Sequence, residues 1–292
     1  MSPAREALVT FWGTRGSIST PGRTTEKYGG NTPCVELRWG DAHIILDAGT
    51  GIRNLGLELT EQTTPENLLP LHLFLSHTHW DHIQGLPFFQ PAYTKDTNLT
   101  IYGSPRKEHF LASILKGLMD LEYFPVGMSS FSAAISIREI PPEPIELGGI
   151  TVDWQEQVYH PGGSVRYRLC AEGKTIIYAT DVELNAIFHP ASGTREHQSL
   201  AEDYLSFISG ADLLIADGQY TDQEYRGKVG WGHSSIDLLL HVAAQAQVRQ
   251  LAIFHHDPQH SDKFLDELWM RYHSAYPEMD IFWAREGLTL AV

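Results

Sequence analysis

His77-Thr78-His79-Trp80-Asp81-His82 follows directly on the apolar run Leu71-His72-Leu73-Phe74-Leu75. A short run of that kind predicts a buried strand. Three imidazoles and a carboxylate therefore gather where a strand leaves its sheet. Imidazole nitrogen and carboxylate oxygen are the donors that zinc and neighbouring divalent metals accept. His77 and His79, two apart, can point the same way from an extended segment. Asp81 and His82 lie further along the turn, within reach of a second ion. A lone strand histidine is ordinarily a satisfied core or surface residue. Three of them with an aspartate at this spacing make a metal-site motif.

Two ions need more ligands than one hexad supplies, and further candidates stand at the ends of other strand-like runs. His160 follows Trp154–Tyr159 and precedes the turn Pro161-Gly162-Gly163. Asp181 closes the string YATD after the run Thr175–Ala179. His255 and His256 follow Leu251–Phe254 in LAIFHHDP, and either can be the last ligand. One such residue is unremarkable, but sites of layered α/β folds collect at strand ends, which groups these candidates with the hexad.

The remaining chain alternates short β-rich runs with helical patterns. Further strands are predicted at Ala7–Trp12, Cys34–Trp39, His43–Asp47, Leu99–Tyr102, Ile150–Gln155, Val165–Cys170, Leu213–Ala216 and Ile281–Ala284. Hairpin turns fit Trp39-Gly40-Asp41 and Glu172-Gly173-Lys174. Helices are predicted at Ile52–Leu59, Arg106–Leu121, Leu200–Ile208, Ser234–Ala246 and Ser261–Ala275, with Ser234 or Ser235 and Ser261 as N-caps. Strands in both halves, each closed by helices, predict two mixed sheets packed together with helices outside. Pro141-Pro142-Glu143-Pro144 reads as a loop within one domain. Glu122–Ser136 has no clean period and reads as either a lid over the site or a packed loop.

Composition narrows the partners. The 292 residues are 42% hydrophobic and 20% charged, an ordinary globular balance. Thirty-six acidic against 21 basic side chains leave a formal net charge of −15. A chain that tracks a polyphosphate backbone usually carries a basic surface, so a long nucleic acid is a poorer fit than a small anion held at a cationic metal centre. No run approaches membrane-span length and no secretory h-region precedes the first strand, which predicts a cytoplasmic protein with no membrane partner. Cys34 and Cys170 are expected to be reduced thiols. The Gly- and Thr-rich opening lacks the Gly-Lys-Ser/Thr of a P-loop. Its Thr14, Arg15 and Ser17 can border the site and meet a phosphate, or form a tight turn with Arg15 in a salt bridge.

The H-x-H-x-D-H hexad followed by a His, an Asp and a last His, each after a strand, resembles the metallo-β-lactamase superfamily. The resemblance spans nearly the whole chain and implies an α/β fold, a four-layer αββα sandwich, forming a single domain over residues 1–292. It also implies a dinuclear centre, usually zinc, with manganese or iron acceptable to the same donors. His77, His79 and His160 would hold one ion; Asp81, His82 and His255 the other; Asp181 would bridge them. Asp47, in ILDAGTG, matches the early Asp-x-Gly turn and would orient ligands.

The second half, ADLLIADGQY…WGHSS…LAIFHHDP, is similar to the ribonuclease Z and cyclic-nucleotide phosphodiesterase branch. Asp217 stands where ribonuclease Z has a glutamate, and His233 where it has the histidine that assists the leaving group. The resemblance implies a phosphodiesterase in which Asp81 and Asp181 orient an activated water and His233, supported by Asp217, protonates the departing oxygen. The chain has no recognisable exosite arm for a tRNA body, and Asp217 is shorter than glutamate. Both departures favour a small phosphodiester such as a cyclic nucleotide. The alternatives are a tRNA 3′-processing endoribonuclease, a lactone, thioester or β-lactam hydrolase, and a redox protein or inactive metal-binding scaffold. Homodimers are common in the resembling branch.

Overall fold

The computed structural model describes residues 6–62, 70–104, 110–188, 193–273 and 275–292. The predicted positions Arg106 to 109 and residue 274 lie outside them. The β-branched and aromatic runs form two sheets of seven strands each among the described residues. The first holds β1 (Leu8–Gly13), β2 (Cys34–Trp39), β3 (Ala42–Leu46), β4 (Leu71–Leu75), β5 (Asn98–Gly103) and β6 (Ala134–Glu139) in sequential order. The second runs from β7 (Ile145–Leu147) through β8 (Ile150–Gln157), β9 (Ser164–Ala171), β10 (Lys174–Ala179), β11 (Leu213–Asp217) and β12 (Gln250–Phe254) to β13 (Asp280–Trp283). The last strand, β14 (Thr289–Ala291), returns to the first sheet and pairs antiparallel with β1. Both expected hairpins form, β2 against β3 and β9 against β10.

Helices α1 (Ile52–Gln62), α2 (Trp80–Ile83) and α3 (Leu111–Leu118) belong to the first half. Helices α4 (Leu184–Phe188), α5 (Arg195–Ile208), α6 (Asp222–Tyr225), α7 (Ile236–Gln245) and α8 (Asp262–Tyr272) belong to the second. Three buried apolar clusters define the layers. One, with Phe11, Leu37, Phe74, Tyr167, Tyr178 and Phe254, lies between the sheets. The second packs Leu55, Leu59 and Leu115 of α1 and α3 on the outer face of the first sheet. The third packs Tyr204, Leu239, Leu240, Leu265 and Leu268 of α5, α7 and α8 on the outer face of the second. The order is αββα, as the α/β expectation had it. Strands β10 to β13 are parallel, and LLIAD of β11 is buried on both faces, which explains its unbroken apolar run.

Three strands were not foreseen. β6 completes the edge of the first sheet beside β5, starting inside the aperiodic stretch before residue 136. β7 emerges directly from the proline cluster, and β14 is three residues long. Cys34 and Cys170 are both free, Cys34 buried and Cys170 half-buried. No helix among the described residues is long and apolar enough to cross a membrane.

Candidate metal centre

The carboxyl ends of the parallel strands converge, and the polar residues of the site hang from them. Asp47 follows β3, His77 to His82 follow β4, Asp181 follows β10, Asp217 ends β11 and His255 follows β12. His160 comes from the loop between β8 and β9. Asp47, Asp181 and His255 have φ of 62°, 54° and 61°, in the left-handed region that residues with a Cβ seldom adopt. Each such turn costs on the order of 1–3 kcal/mol. The reversal takes the chain sharply off the strand and swings the side chain into the space between the sheets.

The side chains meet in three groups whose donor atoms lie within 4.8 Å of one another: His77, His79 and His160; Asp81, His82, Asp181 and His255; and Asp181, Asp217, His233 and His255. Within the second group, His82 Nε2 lies 3.3 Å from Asp81 Oδ2 and 3.2 Å from Asp181 Oδ1. His255 Nε2 is 3.2 Å from Asp81 Oδ2, 3.4 Å from Asp181 Oδ1 and 3.3 Å from His82 Nε2. Five of the six distances among these four atoms thus fall between 3.2 and 3.4 Å, close to the edge of a tetrahedron of donors around one ion. A tetrahedron of that edge has its centre about 2.0 Å from every corner, the length of zinc bonds to nitrogen and oxygen. In the first group His160 Nε2 stands 3.0 Å from His79 Nδ1, and His77 Nε2 is buried with no hydrogen-bond partner. An orphaned ring nitrogen aimed at two other imidazoles fits a cation. His77 and His160 also face the second oxygen of Asp181, at 3.6 and 3.7 Å, so that one carboxylate looks into the first and second groups.

The outer nitrogens of the rings are bonded, which fixes their tautomers and turns the inner nitrogens to the cluster. His82 Nδ1 donates to Asp47 Oδ2 at 2.7 Å, His160 Nδ1 to the Gly232 carbonyl at 2.9 Å, and His255 Nδ1 to Gln219 Oε1 at 3.0 Å. Asp47 also accepts from the Ser76 amide and hydroxyl and from the Tyr178 hydroxyl, each at 2.7 Å. Asp81 accepts the Ser17 amide at 2.8 Å, and Asp181 the Thr180 hydroxyl at 2.6 Å. Glycine is required at 232 for two reasons. Its φ is +85°, and a Cβ there would stand 2.4 Å from His160 Nδ1.

Burial, followed by the charge of His82, pushes His77 well below the usual histidine range; burial also brings His160 down to about 4. Both rings are neutral donors near neutrality. Burial opposes charge at His82 as well, yet Asp181, Asp81 and Asp47 hold it well above the usual range. Against their own burial, Asp81 and Asp181 are kept well below the carboxylate range by the surrounding histidines.

Beside the cluster, His233 Nδ1 donates to Asp217 Oδ2 at 2.7 Å. The shorter carboxylate therefore reaches its partner, because Asp217 lies at the very end of β11 and His233 just before α7. Burial lowers the proton affinity of His233, but Asp217 and then Asp181 raise it, to about 9. His233 lines a cleft of about 510 Å³ with Ser17, Thr78, His79, Trp80, Asp81 and Asp181.

Every metal or catalytic candidate read from the sequence thus enters one cluster, and the His255/His256 ambiguity has a geometric answer. His256 turns away and its Nε2 donates to the Ala284 carbonyl at 2.7 Å. Of the two readings offered for Arg15, a phosphate contact or a salt-bridged turn, the structure shows the turn, held by backbone carbonyls. The Arg15 guanidinium is fully buried and donates to the carbonyls of Gly29, Asp257 and His260, so it ties loops together and pairs with no carboxylate among the described residues. Thr14 likewise bonds the Tyr28 carbonyl. Of that stretch only Ser17 lines the cleft. Ser17 borders the site as the sequence suggested, whereas sequence reasoning missed Ser76, Tyr178, Thr180, Gln219 and Gly232. Gln219 and Gly232 flank Asp217 and His233 in the strings already singled out, and the Ser17 contact to Asp81 is made by its backbone amide.

Two facing sheets with a histidine–carboxylate cluster at their strand ends define a metal-dependent hydrolase of the sandwich type. The beta-lactamase superfamily domain model matches residues 42–256, and the chain belongs to that superfamily, as a metallohydrolase. Ribonuclease Z of Staphylococcus carnosus (strain TM300) is 22% identical over 322 residues, covering 97% of this chain and 99% of its own. Among solved structures, unliganded yeast PDE1 superposes with a TM-score of 0.70 at 15% identity, covering 99% of this chain and all of its own. A diphosphatase from the PhnP family gives 0.67 at 18% identity, covering 97% of each chain. These superpositions establish the shared fold.

Proposed function

We propose that this protein hydrolyses a phosphodiester bond in a small substrate such as a cyclic nucleotide, using two divalent ions, zinc in preference. His77, His79 and His160 would hold one ion, Asp81, His82 and His255 the other, and Asp181 would reach both. When bound, such ions lower the pKa of water and draw charge from phosphoryl oxygens. The observation that carries the reading is the Asp217–His233 pair, 2.7 Å apart and on the cleft wall beside the cluster. Asp217 keeps the imidazole cationic and aimed, so that its other ring nitrogen can give a proton to a departing alkoxide. A phosphodiester has such a poor leaving group. Lactones and thioesters have less need of a strong acid. Asp81 and Asp181 accept hydrogen bonds from the attacking water and orient it.

A second reading, ribonuclease Z-like cleavage of precursor tRNA, is favoured by the end-to-end match to a ribonuclease Z. The net charge of −15 weighs against it. The deciding experiment is turnover of bis-p-nitrophenyl phosphate by metal-analysed protein, beside 3′,5′-cyclic nucleotides and a precursor tRNA. Diester and cyclic-nucleotide turnover, lost in His79→Ala, is the expected result. Bound metal with no diester turnover would sink the reading, and turnover of the tRNA alone would replace it with the second.

A further inference from the structure

Of the two hexad residues that metal binding does not use, Thr78 and Trp80, the second is the large apolar one. Trp80 stands between His79 and Asp81, lines the same cleft, and is 79% exposed. Its backbone is pinned by the turn of α2, where the His82 amide donates to His79 and the Gln84 amide to Trp80. A large apolar ring left in water beside buried charged groups contributes nothing to the core. Such a surface is characteristic of a recognition site.

A second indole stands across His160. That ring contacts His79 through Nε2 at 3.0 Å and the Gly232 carbonyl through Nδ1 at 2.9 Å, so one imidazole spans from the segment bearing Trp80 to the segment bearing Trp231. Trp231 is 58% exposed, and Lys228 Nζ lies 3.9 Å from its ring centre, a cation–π contact that caps one face. The Glu183 carboxylate fixes this second segment by accepting the amides of Gly230 and Gly232. Two exposed indoles thus stand on segments that His160 joins, one of them lining the cleft, and Lys228 lies over the face of Trp231.

We infer that Trp80, with Trp231 as a second wall, is a stacking platform for a nucleobase attached to the reacting phosphate, and so sets the specificity of the site. The inference rests on the phosphodiester reading and supplies its missing half, the organic group beside the phosphate. Planar bases stack on indole faces without needing sequence-specific hydrogen bonds. A base locked in a duplex hides its faces between neighbours. The platform therefore selects a free nucleotide or an unpaired end.

The test is calorimetric titration of the metal-loaded protein with AMP and with ribose 5-phosphate, which keeps the phosphate and lacks the base. The wild type is expected to prefer AMP by roughly five-fold or more. Trp80→Ala should remove most of that preference with metal content unchanged, Trp80→Phe should retain part of it, and Trp231→Ala should have a smaller effect. Equal affinity for the two ligands, or a preference that survives Trp80→Ala, overturns the platform. A surviving preference together with a changed elution volume would reassign Trp80 to a subunit contact. Base preference without diester turnover would leave the platform standing and remove the hydrolytic reading; diester turnover without base preference would do the reverse.

Discussion

The Asp217–His233 pair has a consequence for pH. His233 acts as an acid only while protonated, and Asp217 is the leading reason it stays so up to about pH 9. Asp217→Asn removes that charge, so the alkaline limb of the rate profile should move to lower pH, with metal content unchanged. His233→Ala should slow turnover by about 10²–10⁴-fold, the usual contribution of a positioned acid. Loss of metal in that variant, or full activity, would contradict the role. The histidines, Asp81, Asp181 and Asp217 were all legible because chemistry of this kind needs particular side chains at strand ends. The sequence leaves the role of Arg15 open between a phosphate contact and a salt-bridged turn, because nothing local in it shows which groups surround the guanidinium. Only the fold reveals that Gly29, Asp257 and His260 offer it three backbone carbonyls.

At the scale of elements, the site depends on what braces the strand ends. Asp47, in a left-handed turn after β3, takes the Tyr178 hydroxyl from β10 and so ties the two sheets together beneath His82. Tyr178→Phe leaves one buried acceptor short of a donor, at a cost of about 1–3 kcal/mol. It should lower the urea midpoint and weaken metal retention together. A second brace is the Thr221–Glu224 capping box of α6, where Glu224 also accepts His260 Nε2 at 2.9 Å. Burial works against ionisation of Glu224, but the His260 and Thr221 bonds bring it down to about 2. A depressed carboxylate stabilises the fold above its unfolded value, near 4.5, and the contribution fades as pH falls towards 2. The gap in urea midpoint between wild type and Glu224→Gln should therefore be wider at pH 7 than at pH 3. The predicted strands with unbroken apolar runs are where the structure has them, because double burial leaves a strong signal. β6, β7 and β14 escaped notice because they are edge or very short strands, whose half-exposed residues carry little period.

For the whole molecule, the buried cluster gathers two aspartates and four histidines apart from His79, itself half-buried. A chelator leaves those groups facing one another without the cation they fit. Stripped protein should melt lower than loaded protein. Free metal at a hundred-fold excess over its dissociation constant stabilises by about 2.7 kcal/mol, or roughly 5–10 °C for a domain of this class. Scanning calorimetry with and without chelator reads this directly, and coincident melting curves would mean the cluster binds no ion of consequence. The αββα order was legible in the alternation of runs. The way β14 crosses back to β1 was not, because pairing between residues some 280 positions apart leaves no local trace.

The candidate ligands are drawn from both sheets, the earliest at residue 77 and the last at residue 255. During synthesis the hexad leaves the ribosome long before β12 exists to carry His255. A nascent chain can offer loose histidines to any passing copper or nickel, ions that bind such donors more tightly than zinc or iron do, but it has no finished cage to trap them. A cage that needs His255 can select its ion only after β12 has folded into place beside the hexad.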